Sequence, residues 1–388
     1  MEKIVVSILV ILLFAAVLTF SLGPRMLDRS LNVVEPHEPY QISDQAKKLH
    51  GQLIVGDWHT DSLMGSRDLA QRSNFAHVDL PRLQEGNVAL QMFTTVTKSP
   101  DGQNYEKNET GARDNMTLVA LIQRWPSDTW NSLAARALFQ ADRLHDLIKR
   151  QPDDIAWIRS FEELNSWFER RKENPKLVGA LLGTEGSHAL DGKLENVKVL
   201  FDKGFRMMSL QHFFDNKLGA SLHGISQTGL TPFGREVVAK INELDIMLDV
   251  AHSSEQVVDE VLALSTRPLV VSHTGFKGHC DSPRNISDDH MQRIAKAGGL
   301  IAVGYWEGAI CGTRPQDVAT AIKYGVNLVG EDHVALGSDF DGAVTTRFDS
   351  SELAVLTQSL LDAGLNEDQI RKVMGGNMLR FVSQNLPI

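Results

Sequence analysis

Short apolar runs alternate with polar turns and helical segments along most of the chain. The runs that we interpret as strands lie at 53–57, 88–96, 177–185, 205–212, 245–252, 268–273, 299–306 and 333–340. Near-continuous apolar strands separated by helices indicate a parallel sheet that is covered on both faces. Eight such units predict a closed (β/α)8 barrel of the TIM type, with a doubly wound open sheet as the alternative. One long interruption, residues 97–176, separates the second run from the third.

The amino-terminal segment has a different pattern. Residues 4–22 form a run of nineteen residues without a charge. As a helix this run would be about 28 Å long, close to the roughly 30 Å hydrocarbon core of a bilayer. It is longer than the apolar core of a usual signal peptide, and Thr19-Phe20-Ser21 is a poor cleavage sequence. We therefore predict an uncleaved membrane anchor at residues 1–23, with a cleaved signal peptide as the alternative.

The segment that follows the anchor lacks a clear hydrophobic period. Residues 24–45 contain three prolines, which favours a tether over a packed element. The predicted organisation is therefore an anchor at 1–23, a tether at 24–45 and a barrel domain at 46–388.

Composition narrows the function. The chain has 388 residues, of which 42% are hydrophobic and 23% are charged, an ordinary globular composition. Its net charge of −10 and its lack of a basic cluster exclude nucleic acid as a partner, because phosphate binding needs a concentrated basic surface.

Side chains that can bind metals or move protons recur where the predicted strands end. They are His59, Asp61, Glu185, His212, His252, His273, Asp339 and Asp341. Any one of them, taken alone, has a simpler interpretation as a turn or cap residue. In a barrel, however, the carboxyl ends of all strands meet at one mouth, where the active sites of this fold lie. The set therefore predicts a single catalytic site.

The number of candidate ligands indicates more than one metal ion. Three histidine or carboxylate ligands suffice for one catalytic zinc with an open position for water. His59, Asp61, Glu185, His252 and His273 would form two sites if Glu185 bridged both ions.

The order of the sequence motifs then becomes specific. The chain resembles the membrane dipeptidase (renal dipeptidase) family of zinc peptidases over almost all of residues 52–383. The matching pieces are DWHTD, HVDLPRLQEGNVALQMF, GTEGSHAL, SLQH, GLTPFGREVVAKINELDIMLDVAHSS, VVSHTG, RNISDD, ALGSDFDG and GGNMLRF. Their common order and spacing carry the resemblance.

The resemblance implies a metal role for five residues. His59 and Asp61 match the ligands of one zinc ion, and His252 and His273 match those of the other. Glu185 matches the carboxylate that bridges the two ions.

The resemblance also implies roles in substrate binding and proton transfer. His212 matches a histidine beside the substrate carbonyl, and Arg284, with Asn285 next to it, matches the group that binds the terminal carboxylate. Asp339 matches the acid that takes a proton from the nucleophile and gives it to the leaving amine. Arg284 could instead cap a helix or pair with a nearby aspartate, and Asp339 could hold a turn.

The implied reaction is hydrolysis of a dipeptide by a hydroxide that bridges two zinc ions, with tolerance for a D-residue at the second position. The alternatives are a related amidohydrolase acting on another small amide, and an inactive membrane-tethered barrel. The first would more typically have His-x-His after the first strand and a bridging lysine, and the second would be expected to lack a ligand. The family further implies a homodimer, and the anchor implies a barrel on the extracytoplasmic side, in the periplasm or at the cell surface.

The chain also departs from the family pattern. Trp58 and Thr60 stand where the family usually has Gly and Asn, and we expect these changes to alter the wall of the mouth. Cys280 and Cys311 lie at positions that resemble a disulfide of some relatives, with two free thiols as the alternative.

Overall fold

A computed structural model describes residues 2–388, except for the side chains of Glu2 and of residues 8–18. The strands are β1 (Val33–Val34), β2 (Val55–Thr60), β3 (Val88–Val96), β4 (Ile155–Trp157), β5 (Val178–Glu185), β6 (Met207–Ser209), β7 (Met247–Asp249), β8 (Val270–Thr274), β9 (Leu300–Val303), β10 (Val334–Leu336) and β11 (Thr345–Thr346).

The helices fill the intervals between most of these strands. They are α1 (Glu2–Leu31), α2 (Asp44–His50), α3 (Leu80–Glu85), α4 (Asn115–Ile122), α5 (Leu133–Arg150), α6 (Phe161–Glu173), α7 (Glu195–Lys203), α8 (Pro232–Glu243), α9 (Glu255–Leu264), α10 (Asp288–Lys296), α11 (Glu307–Ile310), α12 (Pro315–Val329), α13 (Ala354–Asp362), α14 (Glu367–Arg371) and α15 (Asn377–Asn385). Their starts follow local chemistry. Thr231, for example, precedes α8 and accepts a hydrogen bond from the backbone N–H of Gly234, while Pro232 occupies the first helical turn.

Eight parallel strands close into a barrel, as predicted. Neighbouring strands follow the order β3-β2-β10-β9-β8-β7-β6-β5, and pairing of β3 with β5 closes the ring. The short strand β4 adds to the start of β5 from outside the ring. All eight predicted runs overlap one of the ring strands, whose carboxyl ends share one mouth.

The barrel interior is filled by large apolar side chains beneath that mouth. Side chains alternate along a strand, so Leu181 and Gly183 face the same side of the sheet as Glu185. Gly183 lies beside Met207, and Met207 lies beside Met247 on the next strand. The two methionines are buried and help to fill the barrel interior beneath the strand ends.

Part of the expected tether is an ordered element of the barrel. Helix α1 continues past Pro24 to Leu31, and β1 then pairs with β11. Asp28 and Asn32 are buried, and the Nε–H of Arg67 donates to Asp28 Oδ2 at 2.9 Å. The tether prediction is therefore wrong for residues 24–34. A buried ion pair and strand pairing fix this segment, and neither leaves a hydrophobic period in the sequence.

The predicted anchor falls largely on residues 8–18, whose side chains lie outside the described part of the structure. Among the residues that are described, no helix is both long enough and apolar enough to span a bilayer.

Candidate active site

The five predicted metal ligands meet at the mouth of the barrel. His59 lies near the end of β2 and Asp61 follows it, Glu185 ends β5, His252 follows β7, and His273 lies near the end of β8. None of the five is more than 3% exposed to solvent.

Glu185 lies at the centre of this group. Its Oε1 is 3.1 Å from His252 Nε2, 3.2 Å from His273 Nε2 and 3.6 Å from His59 Nε2. Its Oε2 is 3.3 Å from His212 Nε2. The carboxylate therefore faces four imidazoles, with one oxygen toward three of them and the other oxygen toward the fourth.

The separations fit the geometry of a bound metal. Ligand atoms held about 2.0–2.1 Å from a tetrahedral zinc ion lie roughly 3.3 Å from one another. The contacts of Glu185 bracket this value, and His59 Nε2 is 3.5 Å from Asp61 Oδ1. That nitrogen is buried with no hydrogen-bond partner, which is costly unless another group binds it.

Three groups of residues could each hold a metal ion, because the donor atoms within each group lie within 4.8 Å of one another. They are His59 with Asp61 and Glu185, Glu185 with His212 and His252, and His59 with His273 and Asp339. His212 and Asp339 thus join the five predicted ligands in one buried cluster. The prediction of a metal-competent cluster at the strand ends is confirmed, whereas the division of the ligands between two ions stays a prediction.

Ser272, which the sequence analysis did not single out, orients two of the ligands. Its hydroxyl donates to Asp249 Oδ2 at 2.7 Å, so its oxygen can only accept from His59 Nδ1 at 3.2 Å and His273 Nδ1 at 2.9 Å. Both rings therefore carry a proton on Nδ1, which leaves Nε2 as the nitrogen that faces Glu185 and that would bind a metal ion. A serine directly before a strand-end histidine was the available signal.

The electrostatics of the cluster favour a cation. Burial raises the pKa of Glu185 well above its ordinary value, and the nearby Asp61 raises it further. Burial lowers the pKa values of His252 and His273 well below their ordinary range, and Arg284 and other cationic neighbours add to the effect. Burial lowers the pKa of His59, but Asp61 and Glu185 outweigh it and raise this pKa to about 10. Neutral His252 and His273, together with carboxylates that repel one another, form a donor set that a divalent ion stabilises.

Arg284 reaches the pocket, whereas Asn285 does not. The Arg284 guanidinium is buried, donates to the carbonyl oxygens of Ala251 and His273 at 3.0 and 2.8 Å, and lies 5.3 Å above the Trp306 ring. Asn285 lies behind it, with its side-chain amide donating to the Cys280 carbonyl oxygen. The prediction that Asn285 contacts substrate is therefore not supported, because its amide holds the loop.

His212 and Asp339 both line the pocket. Burial lowers the pKa of His212 to about 4, so its ring is neutral at pH 7. Burial raises the pKa of Asp339 to about 8 despite the attraction of nearby His59. Asp339 also has a positive φ of 59°, a conformation that its loop must stabilise.

The loop of Asp339 is held by Asp341, another predicted strand-end residue. Asp341 accepts hydrogen bonds from Arg67 and from the backbone N–H of His77. Burial opposes ionisation of Asp341, but Arg67 outweighs it and holds the pKa of this carboxyl well below its usual range. Asp341 is therefore a structural anion of the loop and does not line the pocket.

Trp58 and Thr60, which were expected to alter the wall of the barrel mouth, do not lie in that wall. Trp58 is fully buried, with its ring packed edge-on against Phe381 of α15. It alternates with His59 along β2 and so faces the helices instead of the mouth. Thr60 is buried and donates to the Phe340 carbonyl oxygen. The expectation that these two residues reshape the mouth was wrong.

The loops after β8 and β9 are joined by a disulfide between Cys280 and Cys311. Of the two alternatives for these cysteines, the structure therefore contains the bridge. It connects the loop that carries Arg284 to the region that follows Trp306.

The pocket above the cluster has a volume of about 410 Å³ and an apolar side that the sequence did not predict. The apolar residues come from α1, from α4, from the end of β3 and from the loop after β2. They include Leu27, Leu31, Met64, Val96, Met116, Leu118 and Val119.

A closed barrel with a buried histidine and carboxylate cluster at its mouth defines a metal-dependent hydrolase of the TIM-barrel class. The sequence profile of the membrane dipeptidase family, peptidase family M19, matches residues 43–386. The chain therefore belongs to that family, which confirms the resemblance seen in its motifs.

Individual relatives agree with this assignment. The chain is 28% identical over 351 residues to dipeptidase aclJ of Aspergillus oryzae, covering 84% of this chain and 76% of that protein. The solved structure of dipeptidase AC, a family M19 metallopeptidase, has a TM-score of 0.70 at 24% identity, covering 87% of this chain and 99% of that one. A metallopeptidase from Rhodobacter sphaeroides, liganded with a phosphinate mimic of the dipeptide L-Ala-D-Ala, has a TM-score of 0.68 at 22% identity, covering 86% and 99%. The two structures support the fold.

Proposed function

We propose that the chain is a zinc-dependent dipeptidase that holds two zinc ions, bridged by Glu185. The observation that carries this proposal is the position of Glu185, whose two oxygens lie 3.1 to 3.6 Å from four imidazole nitrogens in a buried cluster. His59 and Asp61 would hold one ion, and His252 and His273 the other. Zinc bound there would polarise the scissile carbonyl and activate water at neutral pH.

Arg284 is the proposed site for the carboxylate of the dipeptide. A guanidinium has five N–H donors, and two backbone carbonyls take only part of them. The remaining donors can meet a carboxylate with the charge-assisted, paired geometry that arginine favours. The Arg284 guanidinium lies beside the proposed metal ligand His252. A substrate whose terminal carboxylate binds Arg284 would therefore place at the metal site the peptide bond that precedes its last residue.

Two further residues handle charge and protons. A His212 ring with its proton on Nε2, the atom that faces Glu185 Oε2 at 3.3 Å, would donate a hydrogen bond to the substrate carbonyl oxygen as negative charge develops there. In that tautomer Nδ1 gives up its 3.4 Å contact with the Lys98 carbonyl oxygen. Asp339, whose pKa of about 8 lies near neutrality, is suited to accept a proton from the attacking water and to deliver it to the leaving amine.

The proposed substrates include dipeptides with a D-residue at the second position. The Rhodobacter sphaeroides relative supports this extension because it binds a mimic of such a dipeptide. In this chain, Arg284 would fix the carboxylate, and the side chain of the second residue would lie next to it in the open pocket.

We also propose that residues 1–23 anchor the enzyme in a membrane, with the barrel outside the cytoplasm. The disulfide between Cys280 and Cys311 supports an oxidising compartment. Fractionation should place the full chain in a membrane pellet that detergent releases and high salt does not. A mature chain that begins just after Ser21 or Gly23 would instead indicate a signal peptide. The expected homodimer also stays a prediction.

The central test is elemental analysis of the full-length protein in detergent, combined with hydrolysis of L,L and L,D dipeptides. About two zinc ions per chain are expected, with activity lost on chelation and restored by zinc. One metal ion or none in the active enzyme would contradict the two-zinc site. A zinc-loaded chain that hydrolyses no dipeptide would contradict the substrate class.

A further inference from the structure

The catalytic pocket has a polar floor and an apolar side wall. Asp61, Glu185 and the histidines form the floor, whereas the wall consists of Leu27 and Leu31 of α1 together with Met116, Leu118 and Val119 of α4. Leu31 is 38% exposed and Leu118 is 54% exposed. These two leucines are not buried in the core of the barrel, so part of their apolar surface is exposed at the pocket.

Helix α1 is fixed in this position by buried polar contacts. Asp28 lies between the two wall leucines and accepts from Arg67, which also pairs with Asp341 of the catalytic loop. One turn further on, Asn32 Oδ1 accepts a hydrogen bond from the backbone N–H of Ala343 at 3.0 Å. Because Leu27 and Leu31 are four residues apart, they lie on the same face of the helix. The loop of Asp339 and the apolar wall are therefore one connected unit.

The wall and Arg284 lie on different sides of the barrel mouth. The wall stands over β2 and its neighbours β3 and β10, because α4 follows β3 and α1 contacts the loop after β10. Arg284 belongs to the loop after β8, which is three strands away from β2 around the ring. A dipeptide whose carboxylate is bound at Arg284 would cross the metal ligands and direct its amino-terminal residue toward the wall.

We propose that Leu27 and Leu31, with Met116 and Val119, form the subsite for a large apolar side chain on the amino-terminal residue of the substrate. The proposal rests on the dipeptidase function above, which orients the substrate through Arg284. The preferred class is dipeptides that begin with leucine, phenylalanine or methionine. Contact with apolar wall atoms removes apolar surface of such a side chain from water, whereas an alanine side chain is too short to gain much.

The test uses the zinc-loaded, full-length chain in detergent and compares kcat/KM for leucyl-alanine, alanyl-alanine and alanyl-leucine. Wild type should prefer leucyl-alanine over alanyl-alanine. In the double variant Leu27→Ala with Leu31→Ala, this preference should fall about three- to tenfold, the range expected for lost methylene contacts in an apolar pocket. The rate with alanyl-alanine should fall less than the rate with leucyl-alanine, and the zinc content should stay unchanged.

A matched control comes from the same helix. Met26 is 67% exposed and does not line the pocket, so Met26→Ala should leave all three rates unchanged. In the opposite direction, Leu31→Trp should narrow the subsite and reduce hydrolysis of leucyl-alanine more than that of alanyl-alanine.

The outcomes separate this inference from the proposed function. If zinc-loaded wild type hydrolyses no dipeptide, both fail. If it hydrolyses dipeptides but neither wall variant changes the ratio of leucyl-alanine to alanyl-alanine, only the subsite fails. An equal loss for both substrates would make the wall a structural element, and a change confined to alanyl-leucine would place the carboxyl-terminal residue there. Either result would overturn the proposal.

Discussion

The two sides of the catalytic pocket are built by different rules. The metal-competent side consists of strand-end residues that are at most 8% exposed and whose rings and carboxylates contact one another. The apolar side comes from α1 and α4, which lie outside the repeating strand and helix units, and its leucines are partly exposed. The difference indicates that the barrel supplies the chemistry and that segments added to it supply the selectivity.

The comparison has a direct experimental consequence. Changes on the strand-end side should alter metal content or the rate with every substrate. Changes on the apolar side should alter the ratio between substrates at constant metal content.

The largest effect is expected for Glu185→Gln. An amide cannot bridge two cations as a carboxylate does, and the loss of a charge partner in a buried site costs about 3–5 kcal/mol, or roughly two to four powers of ten in affinity. Elemental analysis should therefore show loss of zinc, with a parallel loss of activity. Glu307, an exposed acid of α11, provides the control variant Glu307→Gln. Full activity of Glu185→Gln with zinc retained would remove Glu185 from the metal site.

Arg284→Ala should have the next largest effect. Hydrogen bonds to charged groups contribute about 1.5–3 kcal/mol, so kcat/KM for dipeptides should fall roughly ten- to over a hundredfold. Arg284 also donates to the carbonyl oxygens of Ala251 and His273, so its truncation can loosen the site as well.

An amidated dipeptide separates these two causes. It has no carboxylate to bind, so wild type should hydrolyse it poorly and Arg284→Ala should change that low rate little. Equal losses with free and amidated dipeptides would mean that Arg284 acts only on the structure of the site. Equal wild-type rates with both would favour a broader amidase.

Ser272→Ala should weaken zinc binding without removing a ligand. The variant deletes the acceptor of His59 Nδ1 and His273 Nδ1 and removes the hydroxyl that donates to Asp249 Oδ2. Losing such a partner typically costs about ten- to a hundredfold in metal affinity. A titration with a competing chelator should detect the shift. Ser359→Ala, which removes a buried hydroxyl that bonds only within α13, should leave the affinity unchanged, and an unchanged affinity in both variants would exclude the orienting role of Ser272.

Site residues were predictable where a position in the strand and helix repeat determines the direction of a side chain. The ends of parallel barrel strands converge, so His59, Glu185 and His273 could be assigned to one mouth from order alone. Trp58 and Asn285 were misplaced because adjacency to a site residue does not give direction. Trp58 lies on the opposite face of the strand from His59 and packs against Phe381. The side-chain amide of Asn285 donates to the Cys280 carbonyl oxygen within its own loop.

No comparable sequence pattern predicts the apolar wall. Leu27 and Leu31 belong to a segment without a clear period, and their position depends on the pairing of Asp28 with Arg67, which is 39 residues away in sequence. Long-range ion pairs of this kind are not encoded in local spacing.

The smallest effect, and the sharpest separation of the two sides, is expected for Asp28→Asn. This change keeps an oxygen next to Arg67 but removes the charge, and a hydrogen bond between charged groups contributes about 1.5–3 kcal/mol. The protein should melt a few degrees lower. Because Asp28 holds α1 near the pocket, the preference for leucyl-alanine over alanyl-alanine should fall about two- to threefold at constant zinc content, with a smaller loss of rate for alanyl-alanine. Glu38→Gln, an exposed change in the same segment, should alter neither quantity. A lower melting temperature with an unchanged preference would mean that the wall keeps its position without this ion pair, and loss of zinc would mean that the two sides of the pocket are not separable.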